Sequence, residues 1–181
     1  MANQRLTDKS AFSGNFATDD LFHVVDASDT SANPNGTSKK VTNEQILQTT
    51  KKSISNQAFL DMRTGAGVND FVTLIPATGS GTFILPINIT MFMTYASATE
   101  TSSINLYVGY DSTTVSYYAV YFRNFMKNVT TNNTLMLPII PPGIGVNPSS
   151  IANAPLVMYS SANFTGGFSA DVYITYRKCS I

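Results

Sequence analysis

The sequence predicts a mainly β protein: an N-terminal extended segment with a short hairpin and a short helix, then a C-terminal antiparallel β-sandwich of jelly-roll type. Three observations carry this. Short runs rich in Val, Ile, Thr, Tyr and Phe recur after residue 70, separated by clusters of Gly, Pro, Asn and Ser. Several of these runs alternate apolar and polar residues with the period of two that a half-buried strand requires. The composition also breaks near residue 70: 15 of the 22 charged residues lie at or before it, and all nine Tyr lie after position 90. The break divides the chain into an N-terminal segment, 1–70, and a compact domain, 71–181.

In the N-terminal segment Leu21-Phe22-His23-Val24-Val25 is an apolar run between Asp19-Asp20 and Asp26. A dense turn cluster, Ser28 to Thr37 with Pro34 and Gly36, follows it. Lys39-Lys40-Val41 then reads as a return strand. Thr42 and Gln45 stand three apart before Ile46-Leu47, the pattern of a capping box. It predicts a short helix from Asn43 to about Lys52. A hairpin and one weak helix have too little apolar surface to fold alone, yet both faces of the Leu21–Val25 strand are apolar. The economical solution is cover by other chains. Leu21, Phe22, Val24, Val25, Val41, Ile46 and Leu47 are therefore the candidate interface residues, packing with copies of the segment around a symmetry axis or docking on a larger partner.

In the second region the candidate strands are Phe71–Ile75, Thr82–Leu85, Thr90–Ala96, Ser103–Tyr110, Val115–Phe122, Thr134–Ile140, Leu156–Ser160 and Ala170–Arg177. Met91, Met93 and Tyr95 share one face of their strand; Val172, Ile174 and Tyr176 share one face of theirs. Three prolines in Pro138-Ile139-Ile140-Pro141-Pro142-Gly143 remove ladder donors, so this stretch crosses between sheets or forms a rim loop. Eight strands in this length suit a two-sheet sandwich.

The residues exclude several functions. The chain has 181 residues with eleven basic and eleven acidic side chains, so no broad positive field draws a phosphate backbone, and nucleic acid is not an expected partner. One Cys and one His leave neither a disulfide framework nor a Cys-based zinc site. Apolar runs such as Leu135–Ile140 are far short of the ~20 residues of a membrane helix, and Met1–Asp8 lacks the apolar run of a signal peptide. Solubility rests instead on 57 Ser, Thr and Asn residues.

No catalytic, metal or cofactor site is expected. His23 and Cys179 lie at opposite ends of the chain. Asp26 and Asp29 lack the spacing of a calcium loop, and Ser28 and Asp29 read as turn formers. Glu100, Asp111 and Asp171 are the only acids after residue 70 from which a glycosidase pair could come. Gly79-Ser80-Gly81 is too short to cradle a phosphate and reads as a hairpin turn. Tyr107, Tyr110, Tyr118 and Tyr173 are candidate surface-binding residues, since Tyr offers a flat apolar face and a polar tip to sugars or proteins; the alternative, which is favoured, is that Tyr fills the core and the subunit interfaces of the sandwich.

The stretch Asp20-Leu21-Phe22-His23-Val24-Val25-Asp26-Ala27-Ser28-Asp29-Thr30, with Gly36-Thr37-Ser38-Lys39-Lys40-Val41-Thr42 and Gln45-Ile46-Leu47, resembles a module of bacteriophage fibre proteins, both tail fibres and head (capsid) fibres. The resemblance spans residues 20–47. It implies a parallel homotrimer whose N-terminal part attaches to capsid or tail and whose C-terminal β-domain is a distal knob. The expected function is that of a non-enzymatic virion structural protein, a short fibre or decoration protein assembled in the host cytoplasm, with a knob that meets other virion proteins or a host-surface glycan or protein. The alternative is a monomeric carbohydrate-binding β-sandwich module.

Overall fold

The structure is a computed structural model that describes residues 21–26, 28–29, 31, 37–42, 46–62, 71–110, 118–138 and 147–181. The chain divides into two compact units, 1–46 and 47–181.

The first unit contains the expected hairpin. Strand β1 (Leu21–Asp26) pairs antiparallel with β2 (Thr37–Thr42), in register from Leu21↔Thr42 to Asp26↔Thr37. Asp29 shapes the turn as its sequence predicts. Its Oδ1 accepts the Ser31 N–H at 3.1 Å, and its Oδ2 lies 2.6 Å from Lys39 Nζ.

The second unit is a sandwich of two four-stranded antiparallel sheets. Its strands are β3 (Gln48–Ile54), β4 (Val72–Ile75), β5 (Thr82–Tyr95), β6 (Leu106–Tyr110), β7 (Tyr118–Phe122), β8 (Asn133–Pro138), β9 (Leu156–Ser160) and β10 (Phe168–Ser180). Sheet I has the order β3-β10-β5-β8 and sheet II the order β4-β9-β6-β7. All but one of the connections pass from one sheet to the other; only β6 and β7 follow each other within a sheet. That winding of eight strands is a jelly roll.

The core between the sheets follows from the alternation. Ile89, Met91 and Met93 on β5, and Phe168, Ala170, Val172 and Ile174 on β10, are buried. Leu106 and Val108 from β6 and Leu156 and Met158 from β9 meet them from sheet II. Two predicted strands, Thr82–Leu85 and Thr90–Ala96, are one long strand. A bulge on β5 explains the apparent break. Thr175 pairs with Asn88 but Tyr176 pairs with Pro86, so Ile87 is the extra residue. The buried positions accordingly change from even (Thr82, Ile84, Pro86) to odd (Ile89, Met91, Met93). Pro86 sits beside the bulge, where a missing donor costs least.

The helix expected over Asn43–Lys52 is corrected over residues 46–52; residues 43–45 lie outside the described residues. Gln48–Ile54 is strand β3, and the helix, α1 (Asn56–Leu60), comes after it. Thr49-Thr50 is a β-branched pair, and the free edge of β10 offers β3 a full ladder from Tyr176↔Gln48 to Ala170↔Ile54. That long-range pairing outweighs a four-residue capping pattern. The cap in use is Ser55, whose Oγ accepts the Ala58 N–H at 3.2 Å. Consequently β3 and α1 belong to the sandwich, and the composition break near residue 70 does not coincide with the division between units. Helix α1 inserts Phe59 into an aromatic cluster, with ring centroids 4.9 Å from Phe168, 5.9 Å from Phe164 and 6.1 Å from Phe125.

Gly79 and Gly81 have φ of 102° and 70°, as a tight turn requires. Their turn leads from β4 in sheet II to β5 in sheet I, so it joins two sheets rather than two paired strands. The proline-rich stretch likewise lies between β8 in sheet I and β9 in sheet II; residues 139–146 are outside the described residues.

Candidate functional site

The chain enters the sandwich at Leu47 and leaves it at Ile181, and both lie at the same end, because Gln48 pairs with Tyr176 and the Ile181 N–H donates to Gly81 O. The opposite end is built by the connections 96–105, 123–132 and 161–167. Glu100 ties them together. It is fully buried. Its carboxylate accepts the N–H groups of Thr165 (2.7 Å), Gly166 (3.0 Å) and Ser102 (2.8 Å), and the Thr165 hydroxyl. Its carbonyl accepts the Asn128 N–H at 2.8 Å. Desolvation alone would raise its pKa, but the bonds from Thr165, Ser102 and Gly166 outweigh it and hold the carboxyl below the usual glutamate range.

Two glycines let the chains approach this closely. A methyl at Gly166 would come within 2.8 Å of the Phe168 ring and 2.9 Å of Glu100 N; one at Gly167 would overlap the Ser97 Oγ. The adjoining loop winds through left-handed conformations at Asn124, Met126 and Asn128 (φ 51°, 56° and 58°). Asn tolerates this geometry; Met126 is held in it by burial. Glu100 is thus a structural anchor with its acceptors filled. Asp171 lies on a sheet face, where Lys51 Nζ (2.8 Å) and Ser53 Oγ (2.6 Å) bind it and lower its pKa. The two acids sit in different parts of the fold, and Asp111 is outside the described residues.

The predicted surface tyrosines separate. Tyr110 is buried, and its hydroxyl donates to Ile84 O at 2.6 Å; burial pushes its phenol well above the ordinary range. It is a core residue, not a surface one. Its parity with Leu106 and Val108, both core, is the signal that places it there. Tyr107 is half-buried and stacks on Tyr159 across β6 and β9 at 5.2 Å. Tyr118 pairs its backbone with Gly109; its side chain lies outside the described residues. Tyr173 is half-buried on the outer face of sheet I, edge-on to Phe92 at 5.6 Å and with Lys51 Nζ 5.7 Å from its ring centre.

Of the candidate interface residues, Leu21, Phe22, Val24 and Val25 lie on β1, with side chains outside the described residues. Val41 on β2 and Ile46 are half-buried, and Leu47 is exposed. His23 is in β1, and Cys179 is half-buried on β10 and forms no disulfide. Among the described residues no three His, Cys, Asp or Glu side chains gather as a metal site, and no helix is long and apolar enough to cross a membrane.

The sequence reading missed one surface, the outer face of sheet I. Register places Lys51, Tyr173, Thr90 and Met136 in one row across its four strands, and Ser53, Asp171, Phe92 and Thr134 in the next. Phe92 is 47% exposed and Met136 is 71% exposed. Every large hydrophobic exposed among the described residues is on this sheet or at its ends: Leu47, Leu85, Ile87, Phe92, Met136 and Ile181. In sheet II, by contrast, β9 is buried on both faces, Val157 and Tyr159 included.

No protein-family model and no curated protein matches this chain. Among solved structures it is similar to one titled "Cyanophage Pam1 capsid asymmetric unit", with a TM-score of 0.41 and 15% identity over 72% of this chain and 84% of that one. It is also similar to one titled "nora virus structure", with a TM-score of 0.32 and 11% identity over 95% of this chain and 64% of that one. At these scores and identities neither likeness assigns a function.

Proposed function

We propose that this chain is a structural protein of a bacteriophage virion: a homotrimeric short fibre or decoration protein, anchored to capsid or tail through its N-terminal segment and carrying the jelly roll as a distal knob. The observation that carries the reading is the hairpin of β1 and β2. It forms where the fibre-like module lies, in a unit apart from the sandwich. A two-stranded hairpin with apolar residues on both strand faces needs cover to be stable in water. Copies of the same segment around a three-fold axis supply it, and so does docking on a virion protein. The jelly roll suits the reading without deciding it, because the same architecture serves capsid and lectin domains.

The function is then binding rather than catalysis. Three knobs on each trimer, and many trimers on each particle, add weak contacts with a host-surface glycan or protein into avidity. Sedimentation of the full chain beside its Phe22→Asp variant tests the reading. The expected result is a trimer that the substitution dissociates, with the far-UV spectrum of the sandwich retained. A variant that stays trimeric removes the hairpin from the assembly. A monomeric wild type that binds sugar would favour the carbohydrate-binding alternative.

A further inference from the structure

We propose that the end of the sandwich built by the connections 96–105, 123–132 and 161–167 binds an acidic glycan; this rests on the virion reading above and names the glycan class and the residues that hold it. The charged residues of these connections are Glu100, Arg123 and Lys127. Glu100 is buried, with its oxygens bonded inward. Arg123 is exposed and Lys127 half-buried, so the charge turned to solvent is positive. Among the described residues no acid pairs with Arg123, and Lys127 Nζ bonds the Ser103 hydroxyl at 2.8 Å rather than an acid. Two unneutralised cations on one connection are the complement of a carboxylate or phosphate group.

The rest of this surface is built of amides and hydroxyls. Asn124, Asn128 and Asn163 are exposed, and so are Ser102, Thr130 and Thr131. An amide offers a donor beside an acceptor, the pair that neighbouring sugar hydroxyls match. None of the exposed large hydrophobics among the described residues lies in these connections, and Phe125 and Phe164 are buried. A protein partner therefore finds no apolar anchor here, and a nucleobase no ring to stack on. Two cations are also too few to follow a phosphate backbone. The surface is prepared before any ligand arrives. Three of the four non-glycine residues with left-handed φ among the described residues, Asn124, Met126 and Asn128, lie in the one connection. The Asn124 N–H donates to Asn105 Oδ1 at 3.1 Å and the Asn128 N–H to Glu100 O at 2.8 Å, which holds the loop in this unfavourable conformation. A loop already fixed loses little freedom when a ligand docks.

The test applies the full chain, fluorescently labelled, to an array of carboxylated, phosphorylated and neutral bacterial oligosaccharides at low and high salt. Retention on acidic sugars and not on neutral ones is expected, weakened by salt; the carboxylated and phosphorylated spots tell which anion is bound. Arg123→Ala and Lys127→Ala should each weaken retention about tenfold, the loss of one charge-assisted bond. Lys52→Ala, which removes an exposed cation on β3, should leave it unchanged. Asn128→Gly keeps the left-handed backbone and deletes the amide, so it should weaken retention with the sandwich still folded. A chain that retains no acidic sugar, that ignores Arg123→Ala and Lys127→Ala, or that prefers single-stranded poly-dT overturns this inference. Sedimentation of the same sample separates it from the reading it rests on. A trimer that binds no sugar overturns the glycan site alone; a monomer that binds an acidic sugar through Arg123 overturns the fibre and leaves the site standing.

Discussion

Replacing Glu100 by Gln should destabilise the sandwich by about 3 kcal/mol although the two side chains have the same shape. One carboxylate oxygen, Oε1, accepts the Ser102 N–H; the other, Oε2, accepts those of Thr165 and Gly166. Gln has only one oxygen, and its amide group is a donor. Whichever way the amide is turned, a donor faces one or two buried N–H groups. Stranding a buried donor costs ~1–3 kcal/mol, and a hydrogen bond to a charged acceptor is worth ~1.5–3 kcal/mol. For a domain of this size ~3 kcal/mol corresponds to a fall in Tm of roughly 6–12 °C. Urea unfolding of wild type and Glu100→Gln, followed by far-UV circular dichroism, reads the difference at pH 7. The pH dependence gives an independent signature. The folded-state pKa of Glu100 lies below its unfolded value, so its contribution is complete above the unfolded pKa of about 4.3 and is lost as pH falls through the folded value. The gap between wild type and variant should therefore narrow in acid. A variant within 0.5 kcal/mol of wild type at pH 7 (a bound set about threefold below the smallest charged bond) would refute the anchoring role.

Further consequences concern the same end of the fold. Phe59→Ala empties the centre of the ring cluster formed with Phe125, Phe164 and Phe168; it should cost ~3–5 kcal/mol in chemical denaturation. Gly167→Ala forces a methyl onto Ser97 Oγ and to 2.9 Å from Ala98 N, so the loops must part; a loss of about 1–3 kcal/mol is expected, with faster amide exchange at Thr165 and Gly166. Away from that end, on the outer face of sheet I, Asp171→Ala removes an exposed ion pair with Lys51 and the hydrogen bond from Ser53 and should leave the unfolding midpoint nearly unchanged in the same assay.

Much of this architecture could be read from local pattern. The hairpin follows from an apolar run, a turn cluster and a return strand, and the sandwich strands follow from alternation, as Met91 and Met93 or Val172 and Ile174 show. The misplaced helix and the divided β5 share a cause. A capping pattern and a proline are local signals, whereas the strand at Gln48–Ile54 and the continuity across Ile87 are fixed by β10, more than eighty residues away in the chain. Glu100 was hidden for the same reason. Its chain neighbours Thr99, Thr101 and Ser102 carry no sign of burial, and its partners Thr165 and Gly166 reach it only through the fold. The adjacent Gly166-Gly167 was the one local hint of a close approach. The open face of sheet I was half legible: alternation puts Phe92 opposite Met91 and Met93, but only the register across β5 and β8 sets Met136 beside it.

The central claim is assembly into threes, and the solution mass of the full chain by multi-angle light scattering tests it most directly. The account predicts about 59 kDa, three times the 19.6 kDa chain, across a tenfold range of concentration. A single species of one chain mass over that range would contradict it.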